Sequence, residues 1–99
     1  MVNKKVTGLK VEMTEVLNCH RVPTKLYMDV KDHMYKQFNK ILPNQICTLK
    51  KMCGKQFWKP LKNPDRRDAG RAFAHMVVLG IFPFEFVETN RTSKHYRLK

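Results

Sequence analysis

The chain has 99 residues, 42% of them hydrophobic, and its 20 Lys and Arg outnumber 8 Asp and Glu for a formal net charge of +12. That length suits one small domain, since a second core needs roughly 100 more residues, and six Phe, three Tyr and one Trp argue against a disordered basic tail. No apolar run approaches the roughly 18 residues of a membrane span, and no apolar stretch follows the charged start Met1-Val2-Asn3-Lys4-Lys5, so no secretory signal is expected.

Residues 1–23 show neither a period of 2 nor one of 3.6. Thr7-Gly8 suggests a turn, and the alternation over 9–13 fits either a short strand or an arm that orders only against a partner or a second subunit. These residues form the expected N-terminal extension, with the main domain over 24–99. From Thr24 the pattern turns helical. Tyr27, Val30, Met34, Phe38 and Ile41 recur at spacings of three and four. With Thr24 as cap and Asp29 and Asp32 in the N-terminal half, a first helix is predicted over 25–41, ended by Pro43-Asn44. Gln45-Ile46-Cys47 suffices for one very short strand. Thr48 reads as the N-cap of a second helix that turns Leu49, Met52 and Cys53 inward and is interrupted or ended by Gly54. Phe57, Trp58 and Leu61 are expected to lock the next connection against the core.

Asn63-Pro64-Asp65 supplies a cap, a proline at the first helical position and an early acid, and Gly80 supplies the stop, so a third helix is predicted over 64–79. Its apolar face is Ala69, Phe73, Met76 and Val77. On a wheel of 100° per residue, Arg67, Arg71, Ala74, His75 and Val78 fall on the other side. The period then changes to two. Phe82, Phe84 and Phe86 alternate with Pro83, Glu85 and Val87, Asn90 to Ser93 is a turn cluster, and 94–98 alternates again. This predicts a β-hairpin over 81–98 with a basic tip and all three phenylalanines in the core.

The order helix, short strand, helix, basic amphipathic helix, β-hairpin resembles the winged helix-turn-helix family over residues 24–99. The implied fold class is α+β, a small winged helix with three helices followed by a C-terminal hairpin wing. The resemblance implies that the third helix is the recognition helix and the hairpin the wing. Gly54 and the 57–61 segment depart from it, because they lengthen the link between the second and third helices.

Charge points the same way. A +12 field destabilises so small a body unless a polyanion neutralises it, and residues 44–99 carry 12 basic side chains against 4 acidic ones. An α-helix fits the major groove of B-DNA, where arginine takes guanine bidentately, and base contacts come from the N-terminal part of a recognition helix. The expected base-reading residues are Arg67, Arg71, Ala74, which either lets the helix approach closely or touches a thymine methyl, and His75, on a base or a phosphate. Lys50, Lys51, Lys55, Lys59, Lys62 and Arg66 are expected along the sugar-phosphate backbone, which positions without reading sequence. At the wing, Arg91 and Lys94 enter the minor groove or clamp a phosphate, with His95 and Arg97 assisting.

Cys19, Cys47 and Cys53 form no C-x-x-C pair and the four histidines are scattered, so neither a metal site nor a disulfide framework is expected; the thiols read as reduced and intracellular. Dispersed carboxylates and the lack of a glycine-rich phosphate loop give no support to catalysis and imply no cofactor. The leading expectation is a sequence-specific double-stranded DNA-binding protein, a small transcriptional regulator of repressor type. Its economy suggests a phage or mobile element, and so a cytoplasmic setting in a bacterial cell or phage-infected host. A homodimer is expected because one head buries little surface, with residues 1–23 or the first helix as the contact. The rival expectation is a winged-helix interaction module or inhibitor that binds an acidic protein partner or an RNA-containing complex.

Overall fold

The computed structural model describes residues 11–88 and 94–99. Among them the chain forms β1 (Met13–Glu15), β2 (Arg21–Pro23), α1 (Thr24–Gln37), β3 (Ile46–Cys47), α2 (Leu49–Cys53), α3 (Lys55–Trp58), α4 (Asn63–Val78), β4 (Phe84–Val87) and β5 (His95–Leu98). The result is a small α+β domain with two small antiparallel sheets. One is the β1–β2 pair. The other has the order β3–β5–β4, so the two-residue strand between the first two helices lies beside the last strand of the hairpin.

Most elements follow from the patterns above. Tyr27, Val30 and Met34 are buried on α1, and Phe38 and Ile41 pack against the same core from the 3-10 turn Phe38–Lys40 and beyond it. The α2 helix is capped by Thr48, whose hydroxyl accepts from the Lys51 amide at 3.3 Å, and it buries Leu49, Met52 and Cys53. Burial pushes the Cys53 thiol up to about 12, so it stays protonated beside the Met34 sulfur, 4.0 Å away. Gly54 ends α2 at φ +82°, ψ 165°, a conformation that side chains all but forbid. The chain then makes one more helical turn, α3, which the link between the second and third helices was not expected to contain. Phe57, Trp58 and Leu61 pack against the core as expected.

Two helix starts differ from expectation. Thr24 begins α1 rather than capping it, and its hydroxyl pairs with that of Thr14 at 2.7 Å. Asn63 is the first residue of α4, with Lys62 at the cap position and no side-chain cap. The far end of α4 closes as anticipated. Gly80, at φ +77°, donates to the Val77 carbonyl and Ile81 to that of Met76, the paired bonds of a Schellman stop.

Phe73 centres the core, with ring centroids 4.8 to 5.8 Å from Tyr96, Phe84 and Phe82. Phe86 departs from its expected burial. It is 45% exposed on the edge strand β4, with its ring against that of Tyr96, 5.3 Å away. From Met13 onward the N-terminal segment joins the main body. Val16 and Val22 lie in the same core as α1 and α4, and β2 and the 3-10 turn Leu17–Cys19 contact α4. That turn runs through left-handed backbone at Asn18 and Cys19, which is why no hydrophobic period announced it.

Candidate nucleic-acid interface

The α2, α3 and α4 helices and the start of β5 enclose two adjoining open concavities of about 510 Å³ each. The first is lined by Lys50, Lys51, Lys55, Lys59 and Arg66, with Thr48, Gly54 and Trp58 between them. The second shares Thr48, Lys50, Trp58 and Arg66 and adds Arg67, Gly70, Arg71 and Lys94, with Leu49 and Tyr96 at its base. No carboxylate is among these lining residues. The fold thus gathers cations that are 44 positions apart in sequence, Lys50 and Lys94, onto one surface. Lysine stems on α2 point outward because Leu49, Met52 and Cys53 point in. Arg67, Gly70 and Arg71 share one stripe of α4 because they are three and four apart.

Within this surface the predicted residues divide. Lys50, Lys51, Lys55, Lys59, Arg67 and Lys94 are exposed. Arg71 is half-buried and pairs with Asp68 one helical turn back, at 3.4 Å. Lys62 is exposed at the start of α4 but lines neither concavity.

Four assignments need correction. Ala74 is only 2% exposed and has no surface to offer a groove. His75, one position on, is half-buried and its Nδ1 shares a 3.0 Å hydrogen bond with the Tyr27 hydroxyl, so it ties α4 to α1. Both follow from one cause. The wheel gave α4 a single packing face, whereas α1 and β2 also pack against this helix and Tyr27 of α1 reaches His75. Arg66 is folded inward. Its guanidinium donates to the carbonyls of Trp58 and Lys59 at 3.4 and 3.3 Å and lies 5.9 Å from the Trp58 ring centroid, so it serves the α3–α4 connection before it serves any phosphate. Arg97 donates from Nε to Glu85 at 2.7 Å across the β4–β5 ladder, a cross-strand pair rather than an unengaged wing cation.

His95 is half-buried on β5 opposite Val87. Arg91 lies outside the described residues. Comparison with protein-family models, curated proteins and solved structures finds no match to this chain. No helix among the described residues is long and apolar enough to cross a membrane.

Sequence reasoning missed Trp58, Thr48 and Gly70 as lining residues. Trp58 was read as a core anchor and does pack there, yet one side of it remains on the concave surface between the lysines and Arg66. The cluster of Lys50, Lys51, Lys55 and Lys59 around it was the available signal.

Proposed function

We propose that this protein binds double-stranded DNA sequence-specifically as a small winged-helix transcriptional regulator of repressor type, working as a homodimer. The observation that carries the reading is the pair of adjoining basic concavities, lined by no carboxylate, that joins α2, α3, α4 as far as Arg71, and Lys94. A duplex is a rigid polyanion with one charge per roughly 1.7 Å of axis, and a concave array of lysines and arginines complements it. The element order supports the winged-helix reading, as does the packing of Phe73 on Phe84 and Tyr96, which sets the hairpin beside the helix proposed to enter the major groove.

In this reading Arg67 and Arg71 address base edges from the second and third turns of α4, toward the N-terminal end of a recognition helix, which makes such contacts. The Asp68 partner holds the Arg71 guanidinium in place until a base replaces it. Lys50, Lys51, Lys55 and Lys59 follow one phosphate strand and Lys94 meets the other side. The reading surface is therefore shorter than the whole outer face of α4 and ends before Ala74.

Selection from a random duplex pool tests this. A defined motif is expected to emerge. Arg71→Ala then weakens binding to it by about 1–3 kcal/mol and relaxes its preference, whereas Lys51→Ala weakens binding to all sequences alike. A pool that yields no motif, with both variants acting equally on random DNA, contradicts base reading.

A further inference from the structure

Among the described glycines, Gly54 and Gly80 sit at positive φ, where the backbone demands them; Gly70 does not. It lies in the middle of α4 with helical backbone, and a methyl group placed on it would meet no heavy atom of the described residues within 4 Å beyond its own helix backbone. Neither conformation nor packing against the described residues requires a glycine there, and glycine is a poor residue for a helix interior. Yet Gly70 lines the second concavity, on the stripe that carries Arg67 and Arg71 and beside Thr48, Lys50 and Trp58. The missing side chain leaves the α4 backbone bare on the wall of the second concavity.

We infer that Gly70 is a positioning residue, the point of closest approach between α4 and the DNA. The inference rests on the DNA-binding reading and refines it. A side chain at this position would project to one side of the two arginines, about 60° round the helix from Arg67 and toward α2, and would hold the helix away from the groove floor. Without one, α4 seats deeply enough for both guanidiniums to reach base edges, whose bidentate geometry tolerates little displacement. The cost is borne by the helix, which gives up stability at a position where alanine fits.

The test compares Gly70→Ala and Gly70→Leu with the wild-type chain by thermal unfolding and by titration with the duplex obtained from selection and with a random duplex. Gly70→Ala is expected to raise Tm by a few degrees. It is also expected to weaken binding to the selected duplex by about tenfold, with a smaller loss on random DNA, so that discrimination falls. Gly70→Leu should weaken specific binding further. A purely structural role would move stability and affinity together, whereas here they move in opposite directions. Wild-type affinity and discrimination in Gly70→Ala would overturn the inference and leave the DNA reading standing. A wild-type chain that binds neither duplex would overturn both.

Discussion

Arg66 shows how one side chain can look available in sequence and be committed in the fold. It begins the basic stripe of α4, but its guanidinium is spent on the carbonyls that end α3 and on the face of Trp58, and its buried Nε has no hydrogen-bond partner among the described residues. Two charge-assisted hydrogen bonds and a ring contact make it a clasp between α3 and α4. Arg67, its neighbour, is exposed and has no such task. Arg66→Ala is therefore expected to destabilise the protein by about 1–3 kcal/mol, and Arg67→Ala to change stability by less than about 0.5 kcal/mol. Urea unfolding followed by Trp58 fluorescence measures both, and equal effects would contradict the clasp. Sequence alone could not separate the two, because the difference depends on where the α3 carbonyls end up. His75 was illegible for the same reason: its partner Tyr27 lies on α1, 48 positions away.

At the scale of elements, legibility followed local chemistry. The α4 helix was readable from Pro64 at one end and Gly80 at the other, α2 from Thr48 and Gly54, and the hairpin strands from their alternation, because each signal acts within a few residues. What stayed hidden was non-periodic. The β1–β2 pair is only three residues per strand and turns through left-handed Asn18 and Cys19, and α3 is a single turn. Gly54 sets the angle between α2 and α3, and with it the spacing of Lys50 and Lys51 from Lys55 and Lys59. Its backbone lies in a region held almost only by glycine, so Gly54→Ala is expected to cost on the order of 1–3 kcal/mol. The same substitution at Gly70 should stabilise. Thermal unfolding of the two variants checks the contrast, and a stabilised Gly54→Ala would mean that the junction relaxes without its glycine.

For the whole molecule, charge is the property that survives from composition to surface. The excess of residues 44–99 is not spread evenly but concentrated in one concavity, to which α2 and α3 bring Lys50, Lys51, Lys55 and Lys59, α4 brings Arg66, Arg67 and Arg71, and the hairpin brings Lys94. Concentrating like charges raises the free energy of the isolated domain and lowers that of a complex with a polyanion. Where this happens was only partly legible. The lysine cluster was visible as a run, but its union with Lys94 needed β5 to pair with β3 and bring the hairpin beside α2. The ion pairs elsewhere, Lys25 with Asp29 and Glu85 with Arg97, are surface contacts that leave this field intact.

The most direct measurement is the salt dependence of duplex binding by the intact chain. If most cations of the concavity meet phosphates, raising salt from 50 to 200 mM lessens the entropy gained by each counterion released, and affinity falls by about 10³–10⁵, the loss that goes with six to ten phosphate contacts. Affinity that changes only severalfold over that range, or no duplex binding at 50 mM, would contradict the account.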